Sequence, residues 1–460
     1  MNRRKLKKIE YWEGDSPPPT LSKASQAFSE MVIRRYKEGM LDDILKAPYL
    51  SKAEIESMQF KRIRQLVQIA YEKVPIYREK YKAVGFSPQD LNTWEDYYQL
   101  PCITKDELIE AWPNGCINTD YETENLFYTR SSGSSGKTLR IAVDQEAILK
   151  DTFQGIRQFW LQTGGRYLPE DVVAHIYTVP WWVDSIGGDY QTVFISSLIH
   201  PGEIAKILDG ILPDIISLYP SNLEAVLPYL TDRTKKSLKL VVVHSEMSAK
   251  SQRQKWSYEI GAPVLDEYSS EELTRIALEL PCGHYHLCED TVRVDVLDAS
   301  LRPISSGVGI VCGTNLLNTA MPFIKYIQGD LVHLEESDKE CDIGWRQIGA
   351  IEGRENDSFI TESGEVVPAG TILDITYRWM FDTGVNIREF EIVQKSPKTI
   401  LVRMYAPDLS PRQIWLVKHQ LDNLLQSVLP GVHVSFIQSP DPLRSETIKK
   451  WRPIRREFDA

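Results

Sequence analysis

Residues 128–140 read YTRSSGSSGKTLR. Hydroxyls, glycines and one lysine in a short run suit the holding of phosphate. Small residues let backbone N–H groups turn toward an anion, and a lysine adds a point charge. Ser131, Ser132, Ser134 and Ser135 offer hydroxyls, Gly133 and Gly136 let the backbone approach, and Lys137 supplies the cation. A Walker loop needs the spacing G-x-x-x-x-G-K-[ST]. Here two residues separate Gly133 from Gly136, so that register fails. A plain linker also fits poorly, because YTRSS and LRIAVD on either side have strand character. A clamp on a triphosphate, set between two strands, suits the residues; for Lys137 a solvated surface lysine is the alternative.

Further polar runs follow in order: LDEYSSEE (265–272), MPFIKYIQGD (321–330), IGAIEGREND (348–357) and RSETIKKWR (444–452). This order resembles the adenylate-forming superfamily, whose members activate a carboxylate as an acyl-adenylate and pass the acyl group to a thiol or amine. SSGSSGKT is similar to their SSGTTGKP phosphate loop, YSSEE to Y-G-x-T-E, IQGD to the ribose-binding T-G-D, and GREND to the hinge G-R-x-x-D. AYEKVPIYREKYKAVGFSPQDLNTWEDYYQLPCITKDEL resembles the branch of phenylacetate–CoA ligase and its capsule-biosynthesis relatives. YPSNL (219–223) and HSEMSAKSQRQ (244–254) stand where that branch has a P-S and a G-A-E segment. The resemblance covers about residues 60–455.

The resemblance implies roles that make chemical sense. ATP or AMP is held by the serine-glycine loop, by Glu267, Tyr268 and Ser269, by Asp330 on the ribose hydroxyls, and by Arg354 near the hinge. Tyr268 packs on adenine. Glu272 holds Mg²⁺, for which a carboxylate is a hard oxygen ligand. Lys450 stabilises the charge that develops during adenylation, with Lys449 a near-equal rival. The catalytic residues are therefore Lys450 and Glu272. The acid lies near HIYTVPWWVDSIGGDY (175–190) and the second motif, beside Trp181, Trp182, His244 and Ser245. Trp181 and Trp182 read equally as core aromatics. CoA is the implied acceptor; an amine or a carrier protein is the alternative, and neither the acid nor the acceptor is named by the residues.

Departures from the pattern bear on these roles. Ser269 replaces a glycine. Glu271 replaces a threonine or serine, and a shifted register would make it the metal ligand in place of Glu272. Lys325 replaces an arginine, and the glycine before the C-terminal lysine is absent. The branch also has relatives with a zinc-binding C-x-x-x-H and C-x-C-G pattern. Cys282, His286 and Cys341 match it, Ile343 replaces the second cysteine of C-x-C-G, and Cys288 is the expected fourth ligand because residues 286 and 288 share a strand face. Metal-free cysteines and histidines are the competing reading.

The elements that must position these groups are legible in outline. SKAEIESMQFKRIRQLVQIAYEKV reads as a helix, with Ser51 and Glu54 at capping-box spacing and Ile55, Met58, Ile63, Leu66, Val67 and Ala70 at helical intervals. A second helix is expected from near Lys105. DVVAHIYTV, PDIISLY, LKLVVVHSE and APVLDEY alternate with helical segments and predict a parallel-rich α/β sheet. EDTVRVDVLD and GVGIVCGTNLL predict antiparallel strands of a sub-barrel. From about Glu355 the pattern is β-β-α-β, a small α+β unit. The expected organisation is a large domain over residues 1–354, with the ATP and acid sites, and a small mobile lid over 355–460 that carries the lysine.

The 460 residues are 42% hydrophobic and 25% charged, ordinary for a globular protein. A net charge of −11 argues against nucleic acid as a partner. The basic start MNRRKLKK precedes an acidic stretch and no apolar run, so a secretory signal and a membrane span are not expected. With 6 cysteines, reduced thiols in the cytoplasm are the expectation. A homodimer is compatible with the sequence.

Overall fold

The structure, a computed structural model, describes residues 24–131, 138–334, 341–444 and 451–458. Ser132, Gly133, Ser134, Ser135, Gly136, Lys137, Lys449 and Lys450 lie outside the described residues.

Apolar runs rich in valine and isoleucine build an eight-stranded sheet. Strands Gln191–Ser196, Val172–Tyr177, Ile215–Leu218, Leu240–His244 and Val264–Ser270 lie parallel in that spatial order. Thr274–Glu279, Tyr285–Leu287 and Gln347–Ile348 continue it antiparallel. Every residue of Leu240–His244 is buried, as a strand covered on both faces requires. One face packs on the helices Pro201–Ile211, Pro220–Val226 and Lys250–Ile260. The other packs on Gln145–Gln162 and Ala24–Lys37. The parallel-rich sheet is as expected.

A second sheet is antiparallel: Val292–Leu297, Gly307–Asn315, Tyr326–Leu334 and Ala350–Arg354. It shares a core with the helix Lys52–Lys73, whose Ser51 and Glu54 form the expected capping box. Ile55, Ile63, Leu66, Val67 and Ala70 are buried. Met58 is only partly so. Gln59 is buried beside it and donates to the Glu289 carbonyl at 2.7 Å, so a hydrogen bond takes a place that apolar spacing assigns to its neighbour. Thr104 caps the helix Lys105–Ala111.

A third core gathers apolar residues between Phe359 and Ile454, with Ala249. Its strands follow the expected β-β-α-β order: Glu389–Ser396, Thr399–Tyr405, helix Pro411–Val428, His433–Gln438. A helix, Ala369–Thr383, precedes them, and Ile454–Arg456 adds a parallel edge strand. The sequence reading contains neither. Among the described residues no helix is long and apolar enough to cross a membrane.

Candidate active site

The strands Val264–Ser270 and Tyr326–Leu334 belong to different sheets, yet their side chains interlock. Tyr268 donates its hydroxyl to Asp330 Oδ2 at 2.7 Å. Ser270 donates to Gln328 Oε1 at 3.2 Å. Tyr326 donates to Glu272 Oε1 at 3.1 Å. The partners step by two in opposite directions: Tyr268 and Ser270 share one face of their strand, and Glu272, in the turn that follows, continues the series. The YSSEE and KYIQGD motifs are thus joined in antiparallel register. Gly329 holds φ +79°, a backbone that favours glycine and accounts for the G of QGD.

Asp330 also meets Arg354, whose Nε lies 2.8 Å from Oδ1, across paired strands. The Asp330 charge holds the Arg354 pKa above its ordinary value. Burial, then Asp330, raises the Tyr268 hydroxyl well above 10, so it stays a donor. An ionised carboxylate has about four acceptor positions, so Asp330 can take both partners and ribose hydroxyls besides.

The register separates the two glutamates. Glu272 is 4% exposed and held by Tyr326. Glu271 is exposed and accepts from Thr129 Oγ1 at 2.7 Å. Thr129 belongs to Phe127–Arg130, which pairs antiparallel with Arg140–Val143, so the loop does lie between two strands. Ser131 closes its neck: its N–H donates to the Leu139 carbonyl at 2.9 Å, and its hydroxyl accepts from Leu139 N–H at 3.0 Å. Ser131 therefore acts first on the loop's own backbone.

A cation that motif reading missed stands beside this set. The Lys105 ammonium has its pKa lowered by burial, with the Glu272 charge opposing and Arg354 adding to the fall. As the first residue of a capped helix, Lys105 reads in sequence as a solvated helix start. The signal available was its place in LPCITKDEL, the segment that resembles the branch. Lys325, by contrast, turns away: its Nζ donates to the Tyr98 carbonyl at 2.7 Å.

Glu267 and His244 lie on the sheet face toward the helix Gln145–Gln162. Glu267 accepts from Gln158 at 2.8 Å and faces Arg275 at 3.9 Å. Burial works to raise its pKa, but Arg275, His244 and hydrogen bonds from Gln158 and Ser269 outweigh it and hold the carboxyl low. Glu267 thus lies on the opposite side of the strand from Tyr268, and the strand has an irregularity between Tyr268 and Ser269. His244 Nδ1 lies 3.0 Å from Ser245 Oγ. Ser245 has φ +67°, a costly backbone for a serine at a strand end. Trp181 stacks on Phe159 at 5.8 Å and lies 4.4 Å from the His175 ring. Trp182 packs edge-on against Phe127 at 5.3 Å.

The third core docks on this edge of the large sheet. Trp451 donates its backbone N–H to Glu246 at 3.0 Å, and Glu246 also accepts from Ser221 N–H and Oγ, each at 3.0 Å. Arg444 pairs with Glu224 and donates to the Ser221 carbonyl at 3.1 Å. Arg452 pairs with Asp357 of GREND. The PSNL and HSE segments thus receive the C-terminal chain.

Metal-ligand atoms of Cys282, His284, His286 and Cys341 all lie within 4.8 Å of one another. Cys282 Sγ is 3.3 Å from His286 Nε2, and Cys341 Sγ is 3.7 Å from His284 Nδ1. Cys288 does not join them, contrary to expectation, and His284 stands in its place. The strand Tyr285–Leu287 ends before Cys288. Cys288 N–H instead donates to the Ile276 carbonyl at 2.9 Å and the side chain enters the core, so face-sharing no longer applies.

No family model matches the chain. It is 25% identical over 333 residues to the phenylacetate-coenzyme A ligase of Escherichia coli, covering 69% of this chain and 75% of that one. Among solved structures, 2-hydroxyisobutyryl-CoA ligase in the postadenylation state, in complex with R3-HIB-AMP, has a TM-score of 0.75 at 19% identity, over 90% of this chain and 91% of that chain. In the thioesterification state the same ligase gives 0.60 at 20% identity, over 90% and 91%. The fold is that of the adenylate-forming ligases. In sequence the chain is similar to phenylacetate-coenzyme A ligases, that of Aromatoleum evansii being 25% identical over 355 residues, 74% of this chain and 78% of that one.

Proposed function

We propose that this protein joins a carboxylic acid to AMP, with release of pyrophosphate, and then passes the acyl group to the thiol of coenzyme A. The observation that supports this most is the Tyr268–Asp330–Arg354 chain, in which three motifs far apart in sequence meet at one sheet junction. In the first step a carboxylate oxygen attacks the α-phosphorus and the bond to pyrophosphate breaks. In the second the CoA sulfur attacks the acyl carbon and AMP leaves. Such chemistry asks the protein mainly to position reactants and offset charge.

Asp330 would accept from the ribose hydroxyls, Tyr268 would offer its ring to adenine, and Arg354 would fix Asp330. Lys105 would lie against phosphate, with Lys137 and Lys450 completing the positive charge on the sequence reading. The buried carboxylate of Glu272 fits a hard divalent cation, and Mg²⁺ held there would offset triphosphate charge. The exposed Glu271 is tied to Thr129, which favours Glu272 for this role. Residues 1–354 would carry both substrates, and residues 355–460 would form the lid. ATP and CoA chemistry with reduced thiols fits a cytoplasmic enzyme.

The two thiols and two imidazoles of Cys282, His284, His286 and Cys341 fit a tetrahedral Zn²⁺. Cys282 Sγ and His286 Nε2 lie 3.3 Å apart and face each other, as two ligands of one ion would. Its role would be structural, tying Cys341 to the hairpin around His286.

The test is AMP release with ATP and a panel of acids, with CoA, an amine or neither as acceptor. Acid-dependent AMP release that rises with CoA is expected. Release that rises with amines and ignores CoA would reassign the second step, and no release with any acid would end the enzymatic reading.

A further inference from the structure

The face that holds Glu267 and His244 is lined by polar groups that lack partners. His175, at the centre of strand Val172–Tyr177, is 2% exposed, and among the described residues neither ring nitrogen has a hydrogen bond. Gln154 lies one turn before Gln158 on the helix that covers this face; it is 2% exposed, and its Oε1 is also unpartnered. The Ser197 hydroxyl, just past the end of strand Gln191–Ser196, is also unpartnered among the described residues. Its backbone N–H donates to the Tyr177 carbonyl at 2.9 Å, which places it on the neighbouring strand end. Buried polar groups in folded proteins are almost always paired, and leaving one unpaired is costly. His175 and Gln154, a strand residue and a residue of the helix that covers its face, point to something that arrives with the missing donors and acceptors.

The surrounding rings give the shape of the visitor. Trp181 lies 4.4 Å from the His175 ring, Tyr177 5.1 Å and His244 6.0 Å, centroid to centroid. Tyr219 lies 5.0 Å from Tyr177. Flat walls of this kind accept a flat group. The wall is at the carboxyl ends of the parallel strands, where ligands of open α/β sheets bind.

We infer that the acid taken by this site is aromatic and carries a neutral hydrogen-bonding substituent, a hydroxyl or an amine, that reaches His175. The inference rests on the adenylation reading proposed above. Burial, then His244 and Arg275, keeps the His175 imidazole neutral at neutral pH. A neutral imidazole has one donor and one acceptor, so a phenolic hydroxyl or an aniline nitrogen matches it. An unsubstituted ring of the same size leaves His175 and its neighbours unpaired. A site built for a hydroxyl rejects the analogue that lacks it more strongly than an apolar pocket rejects an extra methylene.

Pairs of aryl acids that differ by hydroxyl or amine against hydrogen or methyl at one ring position test this. The measurement is acid-dependent pyrophosphate exchange in the wild-type protein, given as kcat/KM. The polar member is expected to lead by about 10- to 100-fold at one position of the ring. His175→Phe should erase that preference, read as the ratio of kcat/KM within each pair, and thermal melting checks that the variant folds. Turnover of unsubstituted acids as good as or better than every polar partner overturns this inference and leaves adenylation standing. So does a preference that survives in folded His175→Phe. No exchange with any acid overturns adenylation, and this inference with it.

Discussion

The Tyr268 hydroxyl donates a hydrogen bond to Asp330 at 2.7 Å, joining the second and third polar motifs of the chain. Asp330 is held from its other oxygen by Arg354 at 2.8 Å. The carboxylate that would bind ribose is thus fixed before any nucleotide arrives. Preorganisation of this kind spares the cost of ordering the group on binding.

Tyr268→Phe removes one of these restraints, and Asp330→Ala removes the carboxylate. Hydrogen bonds to charged groups contribute about 1.5–3 kcal/mol. Asp330→Ala should raise the KM for ATP by about 10- to 100-fold and leave the KM for the acid within a factor of about three. Tyr268→Phe should give a smaller rise of the same kind. Initial rates at varied ATP and varied acid separate the two parameters.

Lys105 carries a second expectation. If its charge offsets phosphate, Lys105→Ala should slow adenylation by at least about tenfold. AMP release from a supplied acyl-adenylate with CoA should fall much less. Equal losses in both steps would show a purely structural role.

The contacts of Glu246 and Arg444 with the C-terminal chain make the third expectation. These bonds hold the C-terminal chain against the edge of the large sheet, and on the proposed function they would serve the adenylation step. Glu246→Gln and Arg444→Ala should slow pyrophosphate exchange by about three- to tenfold. Thioester formation from supplied acyl-adenylate should stay constant or rise. A uniform fall in both would contradict the assignment.

Metal content tests the cysteine–histidine cluster. Protein purified without a polyhistidine tag should carry about one equivalent of zinc. His284→Ala and Cys341→Ser should lower it sharply, while Cys288→Ala should not, because Cys288 lies outside the cluster. Less than about a tenth of an equivalent in wild type would remove the metal.

Much of this site was legible because its chemistry is local in sequence. Tyr268, Glu272, Asp330 and Arg354 each sit inside a short motif, and each strand bearing them shows its apolar run. The pairing was not legible. Nothing in YSSEE says that residue 268 will face 330, or 272 face 326, since that register is set by the packing of two sheets. Tyr326 and Lys105 were missed for this reason. Glu246 and Arg444 were missed because their partners are about 200 positions away, as Trp451 is from Glu246. Cys288 was misassigned because the strand rule was carried one residue past the strand's end. The small C-terminal unit was read correctly in its β-β-α-β core, where alternation is clean. Its edge strand Ile454–Arg456 is short and charged, and such a strand gives almost no periodic signal.

His175 also sets a pH dependence of stability. Its folded pKa is held well below 6.5 by burial, His244 and Arg275. The unfolded chain therefore binds a proton first as pH falls. The stability it contributes is present above about pH 6.5 and is lost as pH falls from there toward the folded pKa, at up to about 1.4 kcal/mol per pH unit. His175→Phe should melt with a shallower dependence between about pH 6.5 and pH 5 than wild type. Parallel melting curves over that range would contradict a neutral buried imidazole.

The central claim is adenylation of an acid at the Tyr268–Asp330–Arg354 junction. Exchange of labelled pyrophosphate into ATP tests it most directly, with wild type and Asp330→Ala compared over a panel of aryl and aliphatic acids. Exchange that requires one of the acids and falls at least about tenfold in folded Asp330→Ala at subsaturating ATP is the predicted result. Exchange that is absent with every acid, or is the same in both proteins, would contradict it.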